Sequence, residues 1–154
     1  MQFRHYHPDD FAQIYAIEEV CFEPPLRFSR RYLRELLSRP RSVAWVAEEH
    51  GRIAAFAVVD LTPGPEEIVG YIETIEVLPV HRRKGIAAEL LQLIQNSARA
   101  AQASLIWLHV DSRNQSAIRV YSAHGYQRHG ARPNYYGRGR SAEVYVKFLH
   151  STAV

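Results

Sequence analysis

Tyr71-Ile72-Glu73-Thr74-Ile75-Glu76-Val77-Leu78-Pro79-Val80-His81-Arg82-Arg83-Lys84-Gly85-Ile86-Ala87-Ala88 is the stretch that decides the fold. Val69, Tyr71, Ile75 and Val77 share one parity of a strand predicted over Ile68 to Leu78, and a basic turn containing one glycine follows at once. The period then changes: Ile86, Leu90, Leu91, Ile94 and Ala98 hold helical spacing, which predicts a helix from near Gly85 to Ala101. The compact apolar run Leu105 to Val110 reads as another strand, and strand, helix and strand in that order imply a parallel crossover.

The turn itself has a chemistry. The first N–H groups of a helix have no intrahelical partner, and together with the helix dipole they form an anion site suited to a pyrophosphate. Gly85 lets the backbone come close to phosphates, Ala87 leaves the second approach unobstructed, and Arg82, Arg83 and Lys84 add charge at the rim. A Walker loop is excluded because Gly-Lys-Ser/Thr is absent.

Outward from this centre the elements fall in order. Phe3 to Tyr6 is predicted as a first strand, with Pro8-Asp9-Asp10 as turn and N-cap for a helix from Asp10 to Cys21. Glu23-Pro24-Pro25 stops that helix, and Ser29 caps a second one marked by Tyr32, Leu33, Leu36 and Leu37, which ends before Pro40. Val43 to Glu48 and Ile53 to Leu61 form a hairpin about His50-Gly51, and Pro63-Gly64-Pro65 breaks the second run. Downstream, Asn114 to His124 is a further helix closed by Gly125. Pro133 to Gly139 reads as a turn region rich in aromatics, and Glu143 to Leu149 as the last strand of a hairpin. With no repeat, linker or low-complexity tract, one mixed α/β domain over residues 1–154 is expected.

Composition agrees with a single ordinary domain: 154 residues, 47% hydrophobic and 23% charged, which excludes disorder and collagen. No apolar run approaches the roughly 18 to 20 residues of a membrane span, so a cytoplasmic protein with no membrane partner is expected. Cys21 is the one cysteine, expected as a buried, inert thiol; a disulfide scaffold and a cysteine metal cluster are excluded. Residues 1 to 111 hold 12 basic and 15 acidic side chains, whereas residues 112 to 154 hold 7 basic and 1 acidic. That cationic last third would attract nucleic acid, a phosphate-bearing cofactor or an acidic peptide, or is simply a solvated basic face, and charge alone does not choose.

Arg82-Arg83-Lys84-Gly85-Ile86-Ala87 resembles the acetyl-CoA motif Arg/Gln-x-x-Gly-x-Gly/Ala of the GNAT acetyltransferase family. Its position after a long strand, and the downstream block Leu108 to Tyr126, which looks like the family's fifth strand and fourth helix, make the resemblance specific. It covers roughly Phe11 to Leu149 and is closest to the N-terminal peptide acetyltransferases, including Asn134-Tyr135-Tyr136, whose tyrosine pair in those enzymes closes over the peptide. The resemblance implies an α/β (α+β) GNAT fold: a central mixed, mostly antiparallel sheet of about seven strands flanked by four helices.

The resemblance also implies roles. Ile75, Glu76 and Val77 would offer strand backbone to the pantetheine arm of acetyl-CoA, Arg83 to Ala88 the pyrophosphate loop, and Asn114 a side-chain contact. Tyr121 falls where the family places its general acid, which protonates the departing coenzyme A thiolate. Bacterial relatives have Leu-Glu-Val where this chain has Leu108-His109-Val110; His109 instead matches the eukaryotic enzymes, which pair a strand histidine with a tyrosine at the position of Tyr71. Glu73, on the strand face of Tyr71, is the alternative base, while Glu76 points the other way. Phe22, Pro25 and Phe28 lie where relatives build one wall of the peptide groove, or else they join the two helices.

These residues predict acetyl transfer from acetyl-CoA to the α-amine of a peptide or protein N-terminus, by direct attack. An imidazole near pKa 6.5 faces a mismatch of roughly 1.5 units, about 2 kcal/mol, against an α-ammonium, and roughly 5 kcal/mol against a lysine ammonium. The alternatives are a GNAT enzyme acting on a small amine or lysine side chains, a silent acyl-CoA sensor, and a nucleic-acid-binding module; no nucleic-acid motif supports the last, and a nucleic-acid partner is not expected. No metal is needed, since the eight histidines show no paired ligand spacing. A monomer or weak homodimer is expected.

Overall fold

The computed structural model describes residues 1–149. Seven strands and four α-helices follow one another among them: β1 (Gln2–His5), α1 (Phe11–Cys21), α2 (Arg30–Ser38), β2 (Ser42–Glu49), β3 (Arg52–Pro63), β4 (Ile68–Val77), α3 (Ile86–Ala100), β5 (Ala103–Asp111), α4 (Gln115–Ala123), β6 (Gln127–Gly137) and β7 (Arg140–Phe148). The strands form one mixed sheet in the order β1-β2-β3-β4-β5-β7-β6. β4 and β5 are parallel, as the intervening α3 crossover requires; β1–β2, β2–β3, β5–β7 and β6–β7 are antiparallel.

The chain divides into two compact units, Met1–Asp60 with Glu73–Ser97, and Leu61–Ile72 with the chain from Ala98 onward. In the first, the hairpin β2–β3 turns at His50-Gly51 with φ of 53° and 77°, as a two-residue turn of this kind demands. Its core is Phe11, Ile14, Ile17, Leu33, Leu36, Val46, Ile53, Phe56 and Val58, taken from the apolar faces of α1 and α2 and from the strands. Ser29 Oγ accepts from Tyr32 N at 3.0 Å and starts α2. The predicted cap at Asp10 is corrected. His7 caps a short 3₁₀ turn at Pro8–Asp10, while the Asp10 carboxylate reaches back to His7 N and to Arg4. Arg4, held by both Asp10 and Glu48, is the reason Asp10 faces away from α1.

In the second unit, Asn114 Oδ1 accepts from Ala117 N at 3.1 Å to start α4, and Gly125 at φ 88° ends it. The stretch Pro133–Gly139, expected as turn, belongs mostly to β6; only Arg138 and Gly139 turn. The β6–β7 register lapses between Arg132 and Gly137 and resumes with Gly137 opposite Arg140. Turn-forming residues here make an irregularity inside a strand, because β7 supplies ladder partners on both sides of it.

Candidate active site

Within the second unit, Tyr71 on β4 lies opposite Trp107 on β5, and strand alternation puts Trp107 and His109 on one face of β5. Tyr71 Oη lies 2.8 Å from His109 Nδ1. The indole of Trp107 packs against both, its ring 4.6 Å from Tyr71 and 5.1 Å from His109. Tyr135 stacks on the imidazole at 4.2 Å and 12°, and Tyr136 meets Tyr135 edge-on at 4.9 Å. Burial, with Arg132 second, holds the imidazole below its ordinary range, so the neutral form that can accept a proton dominates at neutral pH.

Tyr121 projects from α4 into the interior of the same unit. Burial, reinforced by Tyr136, pushes its phenol well above the usual tyrosine range, so it is protonated at neutral pH and can act as a donor. Tyr121 meets Tyr126 edge-on at 5.7 Å, while Tyr136, Tyr135, His109 and Tyr71 form one run of side chains. Asn114 spends its side-chain oxygen on the α4 cap.

Within the first unit, a 3₁₀ turn at Pro79–His81 follows β4, and the loop then runs through Arg83 at φ 66° and Gly85 at φ 78° into α3. The first bond that closes α3 runs from Glu89 N to Gly85 O at 3.1 Å, so the amides of Ile86, Ala87 and Ala88 precede the helical ladder. Ile86 is buried and anchors the helix, while Arg83, Lys84 and Gly85 are exposed. This donor set, bare amides at a helix start with two exposed cations, fits the pyrophosphate of coenzyme A. Arg82 has a different task from the rim charge expected of it. Its Nε donates to Val77 O at 2.9 Å and its Nη2 lies 3.7 Å from Cys21 Sγ, bracing the loop against the strand end. That occupies the carbonyl of Val77, leaving less of the Ile75–Val77 backbone for pantetheine than expected.

The carboxylates of β4 and the one cysteine have partners of their own. Glu73 is engaged from α2: its Oε1 accepts from Tyr32 Oη at 2.9 Å. Burial raises the Glu73 carboxyl, opposed by that bond and by Arg39, and the Tyr32 phenol is pushed up to about 12 by burial and by Glu73. Cys21 is half-buried rather than buried; its thiol donates to Val77 O at 3.5 Å and is pushed up to about 11, first by burial and then by Glu76. The Glu76 side chain turns into the core beside Glu18, so only its backbone remains for a ligand.

In the loop after α1, Phe28 packs on the core and lies 5.1 Å from the Tyr32 ring, Phe22 is half-buried, and Pro25 is exposed. Trp107, Arg132 and Glu18 were not singled out from sequence, and Tyr32 only as a mark of α2. Trp107 was within reach, two residues before His109 and therefore on its face. Among the described residues no group of three or more His, Cys, Asp or Glu side chains could hold a metal ion, and no helix is long and apolar enough to cross a membrane.

The profile of the acetyltransferase (GNAT) family matches residues 11–126, a span that holds both the loop and the Tyr71–His109 pair. The chain is 29% identical over 137 residues to the N-terminal acetyltransferase A complex catalytic subunit NAA10 of Arabidopsis thaliana, covering 87% of this chain and 70% of that one. It is 31% identical over 114 residues to N-alpha-acetyltransferase 60 of Drosophila melanogaster, covering 67% of this chain and 41% of the relative, so it spans less than half of that protein. The crystal structure of the ribosomal-protein-S18-alanine N-acetyltransferase from Escherichia coli matches with a TM-score of 0.85 over 99% of this chain and 97% of that one, at 21% identity, which shows the shared fold. A strand, a phosphate-type loop and a crossover helix in this order, within that fold and under that profile, place the chain in the acetyltransferase (GNAT) family.

Proposed function

We propose that residues 1–154 act as one catalytic domain that acetylates the N-terminal α-amine of a peptide or protein by direct attack on acetyl-CoA. The family uses acetyl-CoA, and the bound donor supplies an activated acetyl thioester. The loop amides from Arg83 to Ala88 hold its pyrophosphate, and the strand end at Ile75 to Val77 steadies the arm. His109, paired with Tyr71, takes the proton from the incoming ammonium through an ordered water; the amide C–N bond forms as the thioester C–S bond breaks, and Tyr121 gives its proton to the departing thiolate. Tyr135 and Tyr136, with the loop at Phe22, Pro25 and Phe28, border the acceptor.

The observation that carries this reading is the 2.8 Å contact between Tyr71 and a neutral His109 stacked under Tyr135. An imidazole below its ordinary range widens the gap to every amine by the same amount, so an α-ammonium remains about 3 kcal/mol easier to deprotonate than a lysine ammonium. The relatives named above as N-terminal acetyltransferases support the same acceptor.

Coenzyme A release over a panel of short peptides with free and with blocked termini tests it. Only free termini should react, and turnover of lysine-bearing blocked peptides would move the acceptor to side-chain amines. Tyr121→Phe should slow turnover by about 10- to 100-fold while calorimetry finds acetyl-CoA affinity nearly unchanged; a wild-type rate would remove Tyr121 as the acid.

A further inference from the structure

Glu18 and Glu76 are the least accessible carboxyl groups among the described residues, 0% and 2% exposed, and both lie in the first unit. Glu18 is on the α1 face that also carries Ile14 and Ile17, and Glu76 is on the buried parity of β4 with Ile72 and Thr74. Each carboxyl has one oxygen satisfied. Glu18 Oε2 accepts from the Phe28 amide at 3.0 Å, and Glu76 Oε2 accepts from the Thr74 hydroxyl at 2.7 Å. The remaining oxygens, Glu18 Oε1 and Glu76 Oε1, are fully buried and receive no N–H or O–H from the described protein groups, although the two carboxyls are within hydrogen-bonding reach of each other. Two anions cannot lie side by side in an apolar interior, so the missing donor is a proton held between them.

We propose that Glu18 and Glu76 are positioning residues whose shared proton clasps the acceptor loop after α1 to the donor-holding end of β4, so that loss of this proton as pH rises loosens the loop and weakens acceptor binding. The role given to the loop rests on the peptide-acetylating reading above. Through Phe28 N, Glu18 ties helix α1 to the far end of that loop, beside a second tie from Arg27 Nη2 to Glu19 O at 3.1 Å, and Glu76 sits between Ile75 and Val77. The titratable and charged groups facing the pair are Cys21, on α1, and Arg82, beyond the thiol; neither supplies a proton to the two open oxygens. Burial first and Glu18 second hold the Glu76 carboxyl well above its usual range. A group raised in the folded state gives stability that is complete at acid pH and is lost as pH climbs through its folded value. The clasp is therefore closed below that folded value and opens as pH rises through it.

Glu76→Gln puts an amide donor toward Glu18 that does not titrate, and Glu18→Gln, with the amide on the other partner, serves if the first variant folds poorly. The acceptor KM is measured from about pH 6 to about pH 10 in wild type and variant, each relative to its own value near pH 7, so that titration of the peptide amine cancels. Wild-type KM should rise at least about threefold more than that of the variant by the alkaline end, with kcat following the same curve in both. Amide hydrogen exchange over residues 26–30, read by mass spectrometry, should show wild type losing protection that the variant keeps. Superimposable KM curves, or lost protection without a KM difference, overturn the positioning role. Were no peptide acetylated, the peptide reading would fail on its own, and the exchange comparison would still decide: equal protection in wild type and variant at every pH sinks the clasp.

Discussion

His109→Ala is expected to lower turnover by about 10²- to 10⁴-fold, the range of a lost general base, with acetyl-CoA affinity little changed. The imidazole is half-buried, bonded to Tyr71 Oη and in ring contact with Tyr71, Trp107 and Tyr135, so the loss should appear in kcat rather than in thermal stability. Its pH dependence carries a sign. Burial and Arg132 depress the imidazole below 6.5, so the acid limb of kcat/KM should fall below that value. Arg132→Ala should move the limb upward, since removing a nearby cation makes the imidazolium easier to form. The contact with Tyr71 gives a second handle. If Tyr71 donates to Nδ1, Nε2 carries the hydrogen, and a proton reaches His109 only through the phenol; Tyr71→Phe would then match His109→Ala. If Nδ1 donates, Nε2 is open to the acceptor and Tyr71→Phe costs far less. Wild-type turnover in His109→Ala would remove the base assignment altogether.

Gly85→Val should raise the dissociation constant for acetyl-CoA by at least about tenfold. Gly85 sits at φ 78°, and no heavy atom lies within 4 Å of where a Cβ would be. The substitution therefore clashes with nothing in the protein; it brings backbone strain of about 1–2 kcal/mol and places two methyl groups in open space beside the loop amides. Gly51 provides the control, because it has φ 77°, equally open surroundings, and a place in the β2–β3 turn. Gly51→Val should lose comparable stability and bind acetyl-CoA as wild type does. Equal binding by both variants, followed by calorimetry, would take the pyrophosphate away from this loop.

Much of this was readable from residue order because it depends on local physics. The α3 positions Ile86, Leu90, Leu91, Ile94 and Ala98 are all buried, as their spacing demands, and Asn114 and Gly125 bracket α4 as cap chemistry requires. The parallel pairing of β4 with β5 follows from a helix lying between two strands in sequence. What escaped was partner choice. Parity says which face Glu73 occupies but not that Tyr32, from a helix about forty residues earlier in the chain, takes its carboxylate. Asp10 was read as a cap because short acids start helices, yet a bidentate Arg4 from β1 outbids the helix for it. Glu18 stands at helical spacing from Ile14 and beside Ile17, a signal that it faces inward. Without Glu76, far along the chain, a lone acid on an apolar stripe has no visible purpose.

The lapse of pairing between Arg132 and Gly137 has an evolutionary reading. Asn134 is committed there, at φ 59° with its Oδ1 receiving Gly139 N at 2.8 Å, but Pro133, Tyr135 and Tyr136 fall where the two strands exchange no registered pairs. Diversity at those three sites leaves the hairpin's remaining ladder untouched. A lineage, or a selection library, can thus revise the aromatic rim over the imidazole while inheriting the sheet beneath it unchanged.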